Sequence, residues 1–307
     1  VEIVAFADEH LEDAAGLLAS RHARHRRAEP LLPELAGPLA AIASEWRAKG
    51  ASGAFASRGG KPVAYLVASP RVIWNGPTWM TAGIAGHAVQ GEREVLRDVY
   101  AAAAARWIDE GLTKHAAFVP SHDAELVDAW FRLCFGASAA LGIRETTPEE
   151  PFDGGVEIRH GTRDDYAEAA RLELEMSRSM LPAPSFSDVP LQTHDEVLAE
   201  WLSDDEDCEL FVAERDGHIV GQFLLYRRPP DLRVPGNSID LAQASTEPEA
   251  RGTGVGRALT AHVIRWAHDH GYPTMTTDWR MTNLWASRFW PRRGFRPAFL
   301  RLYRSVP

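Results

Sequence analysis

From Val1 the stretch VEIVAFADEHLEDAAGLL runs as a short apolar segment, a polar start and an apolar stripe at helical spacing. From Val156 the stretch VEIRHGTRDDYAEAARLE repeats that order. Between them ETTPEEPFDGG, 145–155, is polar, acidic and rich in Pro and Gly, the signature of a linker. The pattern beyond it predicts a strand at 156–160, helices at 163–180 and 194–203, and strands at 208–214, 218–227 and 238–246. A helix at 255–270, a strand at 274–279, a helix at 283–292 and closing strands follow. Arg215–Gly217, RDG, marks a hairpin. Such an order makes a mixed, mostly antiparallel sheet flanked by helices, of the α+β class.

The halves share more than their openings. Val95 and Val255, Arg97 and Arg257, Gly111 and Gly271, Trp130 and Trp290, and Phe135 and Phe295 all lie 160 positions apart, as 255 minus 95 and 295 minus 135 show. Five matches at one offset, each at an equivalent place in the pattern, identify a duplicated domain. The expected division is 1–144, a linker at 145–155, and 156–307.

Composition narrows the function. With 307 residues, 45% hydrophobic and 25% charged, both halves have enough apolar surface for a core. A formal net charge of −10 argues against a broad nucleic-acid-binding face. The one basic run, RHARHRR at Arg21–Arg27, falls at a predicted helix end, where cations meet the negative end of the dipole. It is expected to be solvated, with an anion site as the alternative. Two cysteines, Cys134 and Cys208, exclude a disulfide framework; both are expected to be packed in the interior, which suits a reducing cytoplasm. No apolar run reaches the ~20 residues of a membrane span. The start on Val1 is read as a trimmed end, and the opening residues are acidic rather than those of a basic signal sequence. None of the twelve histidines falls in a zinc-type pattern, so no metal is expected. Trp74 and Trp79 flank the turn NGP and suit the wall of a pocket between lobes.

The chemistry concentrates at Arg251-Gly252-Thr253-Gly254-Val255-Gly256, which follows a strand and opens a helix. Free NH groups and the positive end of a helix dipole suit phosphate, and glycine lets the backbone approach it. The spacing is neither that of the dinucleotide loop nor that of a nucleoside triphosphate loop. Downstream stand Asn283, Ala286, Phe289, Trp290, Gly294 and Phe295. With both motifs in order, residues 156–307 resemble the GNAT acyltransferases, so the chain resembles two such domains in tandem. The resemblance implies acetyl-CoA or another acyl-CoA as co-substrate, held in the splay between two parallel strands. Arg251, Gly252, Thr253, Gly254, Val255, Gly256 and Arg257 would bind its pyrophosphate, Thr246 would pair with pantetheine amides, and Asn283 would contact the cofactor arm. At the offset of 160, Arg251, Gly252, Gly254 and Gly256 become Gly91, Glu92, Glu94 and Leu96. Two carboxylates at the place of phosphate repel it, so the first lobe is expected to be degenerate.

Acyl transfer by direct attack needs a neutral amine, and an alkylammonium of pKa about 10.4 is neutral in under about one molecule per thousand at pH 7. A general base is therefore sought. Asp240, on the strand before the glycine loop, is the first candidate, with a salt-bridged surface carboxylate as the alternative; Asp278, in TTDWR, is the second. The family's usual acid, a Tyr, falls at Trp290, whose indole does not titrate near neutrality. Tyr303 is the substitute, or else water protonates the thiolate. The expected activity is N-acetyl transfer to a small-molecule amine. Alternatives are a non-catalytic acyl-CoA sensor, an O-acyltransferase or an acyl-CoA decarboxylase. No nucleic acid or membrane partner is expected. The lobes would act as a pseudo-dimer in a monomer, the first shaping the acceptor pocket, or the chain would form a homodimer.

Overall fold

A computed structural model of the protein describes residues 1–72, 77–148, 150–187, 189–203 and 208–307. The chain divides into two compact units. One comprises Val1–Leu141, Asp231–Arg233 and Pro297–Pro307, the other Gly142–Pro230 and Val234–Arg296.

The first unit contains β1 (Glu2–Ala5), α1 (Leu11–Ala28), α2 (Pro38–Trp46), β2 (Ser52–Arg58), β3 (Lys61–Val72), β4 (Thr78–Ala82) and β5 (His87–Val89). It continues with α3 (Val95–Asp109), β6 (Lys114–Pro120), α4 (Ala124–Phe131) and most of β7 (Gly136–Glu145). Its sheet runs β1-β2-β3-β4-β6, and β5 pairs with β3. β4 and β6 are parallel, from Met80 opposite His115 to Ala82 opposite Ala117. Beyond β6 lies the last strand of the chain, β13 (Arg296–Ser305), pairing antiparallel from Phe299 opposite Pro120 to Ser305 opposite Lys114. α3 buries Val95, Leu96, Val99, Tyr100, Ala103 and Trp107, a stripe at spacings of three and four. Tyr100, Trp107, Trp130 and Phe135 meet edge to face, and Trp107 Nε1 donates to Ser52 Oγ at 2.9 Å, so the indole enters the core with its polar atom satisfied.

The second unit takes the end of β7, then β8 (Glu157–His160), α5 (Tyr166–Ser179), α6 (His194–Ser203), β9 (Cys208–Arg215), β10 (His218–Tyr226), β11 (Ser238–Thr246), α7 (Val255–Asp269), β12 (Thr274–Arg280) and α8 (Leu284–Arg292). The strand order is β7-β12-β11-β10-β9-β8. Asp216 and Gly217, both at positive φ, form the two-residue turn of the β9–β10 hairpin. In place of the expected closing strands there is one strand, β13, and from Pro297 onward it belongs to the first unit.

Alternation along β10 sets the two faces of the second unit. A Cβ on Gly221 would come within 3.0 Å of Val255, and the Phe223 ring lies 6.0 Å from that of Trp290, so these residues face α7 and α8. Leu224 instead joins Tyr166, Ala170, Leu174, Val197 and Trp201 beneath α5 and α6. Ahead of α5, Asp165 accepts from the Thr162 NH at 2.7 Å and from both terminal nitrogens of Arg159 at 2.8 Å. The guanidinium holds the Asp165 carboxyl down at about 2. A carboxyl depressed in the folded state stabilises fully above its unfolded pKa of about 4, and that stabilisation is lost as pH falls toward 2. Asp165→Asn is expected to cost about 1–2 kcal/mol at pH 7 and much less at pH 2.5. Urea midpoints at the two pH values check this; an equal loss at both contradicts it.

Candidate functional site

β11 and β12 pair in parallel from Ser238 opposite Thr274 to Leu241 opposite Thr277, and there the pairing ends. β11 continues to Thr246 and β12 to Arg280, which leaves the two strand ends splayed. At the same level β11 bulges: Leu225 is opposite Leu241 but Leu224 is opposite Gln243, so Ala242 has no partner. Ala242, Gln243 and Ala244 are only half-buried, although they lie on a strand inside the sheet.

β11 leads into the glycine loop. Gly252 has φ +76° and Gly254 φ +105°, conformations that L side chains rarely adopt. Gly254 is the N-cap of α7 and no side chain caps it, so the first NH groups of that helix are left for another acceptor. Thr246 ends β11 opposite Gly221, Thr253 Oγ1 donates to Ala250 O at 2.8 Å, Val255 is buried, and Arg251 and Gly256 are half-buried. Arg257 lies with its guanidinium 3.9 Å from the centre of the Phe152 ring. That ring also limits the loop, since a Cβ on Gly254 would lie 2.8 Å from it. Arg215 donates to the carbonyls of Gly154 and Gly155 at 3.1 Å and to Thr253 Oγ1 at 3.3 Å. The segment 152–155, expected to be a plain linker, is thus fastened over the glycine loop; its one sequence signal is an aromatic residue in an otherwise polar stretch.

The expected catalytic residues are scattered. Asp240 is buried below the splay, accepting from Arg228 Nε and from Thr276 Oγ1 at 2.5 Å each. Both carboxylate oxygens are engaged, in a salt bridge as the alternative reading expected, although the residue is buried rather than on the surface. Asp278 is exposed one residue beyond the last parallel pair. Tyr303 lies on β13 opposite Ala116 in the first unit, 45% exposed and edge to face with Trp79, so it is not among the residues of the second unit. Asn283 is the N-cap of α8, its Oδ1 accepting from the NH groups of Trp285 and Ala286, which leaves only its amide nitrogen for a cofactor arm. Trp290 is core, packed among Phe223, Phe289 and Phe295.

Cys134 is exposed at φ +63°, ending α4 in a left-handed turn, and Cys208 is only partly covered. Among the described residues no group of His, Cys, Asp and Glu could hold a metal, and no helix is long and apolar enough to cross a membrane. Trp74, with the turn beside it, lies outside the described residues.

Sequence reasoning missed a second polar group, on the α5 face of the same splay. Glu173 of α5 accepts from Trp201 Nε1 at 2.7 Å and from the side chain of Gln243; burial pushes its carboxyl above the ordinary range. Gln222 is fully buried opposite Ser245, and neither its carboxamide oxygen nor its nitrogen has a partner among the described residues. The Ser245 hydroxyl and the Gln243 side-chain carboxamide oxygen are likewise buried without a partner there. A glutamate inside an apolar helical stripe was the available signal; the glutamine and serine sit among ordinary strand residues.

The corresponding region of the first unit is filled from within. After Ala82 and Ala117, His87 Nε2 donates to Phe118 O at 3.0 Å, a side-chain link between β5 and β6. Arg21, 1% exposed, donates to the carbonyls of Ile84 and His87. The basic run is therefore no solvated helix end: Arg21, His22 and His25 are buried. Glu94 pairs with Arg97 and Arg132 at 2.5 Å, and Glu92 with Arg58 at 3.1 Å. The two carboxylates do not stand as bare repelling charges; they engage the cations that a phosphate would otherwise find.

Burial pushes His25 and His87 down to about 3. A histidine depressed in the folded state takes its proton in the unfolded chain first, so stability is complete above pH 6.5 and declines toward pH 3. Each contributes a slope of up to about 1.4 kcal/mol per pH unit. His87→Gln is expected to flatten the pH dependence of the urea midpoint between 6 and 4; an unchanged slope contradicts it.

Residues 174–295 match the family model described as "Acetyltransferase (GNAT) family". No curated protein matches the chain. Among solved structures, a GCN5-related N-acetyltransferase from Sphaerobacter thermophilus is 14% identical with TM-score 0.62, over 99% of this chain and 95% of that one. A tandem GNAT protein from the clavulanic acid biosynthesis pathway, solved without AcCoA, is 15% identical with TM-score 0.53, over 100% and 99%. A fungal glucosamine N-acetyltransferase region of a multi-domain β-N-acetylglucosaminidase is 16% identical with TM-score 0.58, over 98% of this chain and 38% of that one. At such identities the likeness is one of fold, and two of the three neighbours match along nearly their whole length. Residues 174–295 of the second unit thus match the GNAT acetyltransferase family model, and along the whole chain the fold is that of solved GNAT structures, one of them a tandem protein.

Proposed function

We propose that the second unit binds acetyl-CoA or a related acyl-CoA and transfers the acyl group to the amine of a small molecule. The observation that carries this reading is the splay beyond Leu241 and Thr277, which runs into the uncapped, glycine-lined start of α7. The NH groups of residues 252–256, with Arg251 and Arg257, would take the pyrophosphate. The open edge of β11 from Ala242 to Thr246 would pair with the pantetheine amides. The chemistry supplied by the bound thioester is an activated acyl carbon. This chain's residues align it, exclude water and handle the amine's proton. With Trp290 in the core, the thiolate is protonated by solvent, which its free-thiol pKa near 8.5 permits. The first unit, with Arg21 and His87 spanning its strand ends, would hold no acyl-CoA.

The test is titration calorimetry with acetyl-CoA, followed by thiol release in the presence of a panel of amines. One equivalent bound with amine-dependent thiol release is expected. Binding without release under any acceptor would make the protein an acyl-CoA sensor. Conversion of malonyl-CoA to acetyl-CoA and carbon dioxide without an acceptor would make it a decarboxylase, and thiol release only with hydroxyl acceptors would make it an O-acyltransferase.

A further inference from the structure

The polar group on the α5 face has the makings of a second subsite beside the cofactor groove. Gln243 and Ser245 are two residues apart on β11 and point to one face, about 7 Å apart along the strand. Gln222 stands directly opposite Ser245 on β10. Glu173 reaches the same face from α5 and is joined to Gln243. Glu173 and Gln243 are half-buried and are termed the rim; Gln222 and Ser245 are buried and are termed the floor.

The floor is unfinished in a specific way. A buried carboxamide with neither its acceptor nor its donor used, beside a buried hydroxyl also unused, costs free energy unless something else completes it. A completing group must both donate and accept hydrogen bonds and carry no charge, because the floor offers carboxamide and hydroxyl groups and no ion. The rim offers the opposite chemistry, a carboxylate that attracts an ammonium and can take a proton from it.

Resting on the acyl-transfer reading above, we infer that this constellation is the acceptor subsite, that its acceptor is a primary amine bearing an uncharged hydroxyl or carboxamide group a few bonds from the nitrogen, and that Glu173 is the general base. Gln222 and Ser245 bind the hydroxyl or carboxamide, and Glu173 and Gln243 hold the amine. The neutral amine attacks the thioester carbonyl carbon; the C–N bond forms, the C–S bond breaks and the thiolate leaves. The proton shed by nitrogen passes to the Glu173 carboxylate and on to solvent, and the thiolate takes one from solvent. The displaced position of Glu173's pKa, above the ordinary carboxylate range, makes it a better proton acceptor than an exposed glutamate. Asp240, on the same face of β11, is ion-paired to the Arg228 guanidinium, whereas Glu173 accepts from the neutral side chains of Trp201 and Gln243.

The experiment uses the full chain with acetyl-CoA and measures thiol release with two matched pairs of acceptors. These are 2-amino-1,3-propanediol against 3-aminopentane, and glycinamide against isobutylamine. The expected result is a kcat/KM preference of about 30-fold or more for the polar member of each pair, because its rival leaves the floor unpaired. Gln222→Leu and, as the gentler change, Ser245→Ala should each raise KM for the polar acceptors and shrink that preference to about threefold or less. Glu173→Gln should lower kcat by about 10²- to 10⁴-fold while calorimetry finds acetyl-CoA affinity within about twofold of wild type. Equal rates within the pairs in the wild type, a preference that survives both floor variants, or wild-type kcat in Glu173→Gln would overturn the inference alone. Absence of any acetyl-CoA heat would overturn the acyl-transfer reading, and the subsite with it.

Discussion

Gly254→Glu is expected to abolish acetyl-CoA binding, with the dissociation constant raised by roughly a thousandfold and the single equivalent of the wild type lost from the titration. Three effects act together. A non-glycine residue at φ +105° is strained, its Cβ meets the Phe152 ring at 2.8 Å, and its carboxylate faces the anion. The charge dominates: two like charges about 4 Å apart repel by about 4 kcal/mol at an effective dielectric near 20, which is the thousandfold. Gly254→Ala carries the strain and the bulk without the charge and should fall between, with a far-UV spectrum like that of wild type. The converse change, Glu94→Gly, should create no second site, because Arg21 and His87 still span the first unit's strand ends. Two equivalents bound by the wild type, or one surviving in Gly254→Glu, would refute the assignment of binding to the second unit.

Arg21→Ala is expected to destabilise the first unit by about 3 kcal/mol or more. The carbonyls of Ile84 and His87 lose a charged donor in a place that water does not reach, and the removed side chain leaves a void. Burial holds the Arg21 pKa below its ordinary value, but the two carbonyl bonds are what the alanine cannot replace. The melting transition of that unit should fall by about 10 °C, and Arg21→Met, which keeps the apolar stem, should lose less. A wild-type melting profile for Arg21→Ala would show that the guanidinium contributes nothing there.

The glycine loop was legible because it takes φ of +76° and +105°, conformations that L side chains rarely adopt, so the residue type itself reports the geometry. The helices and most strands were legible from periodicity, and α7 and β11 fall within a residue of their expected bounds. The basic run was misjudged because composition does not reveal which face of α1 a charge occupies; Arg21 and His25, four apart, point inward with Leu17 and Leu18. Asp240 was placed correctly on β11, but its partner Arg228 is twelve residues away, across an intervening loop that no local pattern reports. The Glu173 constellation was hidden for a related reason. Its members come from a helix and two strands, each locally ordinary, and only the register of Gln222 against Ser245 brings the unpaired groups together.

Strand pairing was the least legible feature, since an apolar alternation states that a segment is a strand and not which edge it will complete. Residues 299–305 add to β6 in the first unit, although they are encoded 179 positions after β6 ends at Pro120, as 299 minus 120 shows. During synthesis β6 therefore emerges with an unpaired edge and keeps it until the whole second half has been made. At roughly 5–20 residues per second that wait lasts about 9 to 36 seconds, long enough for a chaperone or a neighbouring nascent chain to reach the edge. Each molecule's yield would then depend on translation speed across the second half as well as on the stability of the finished protein.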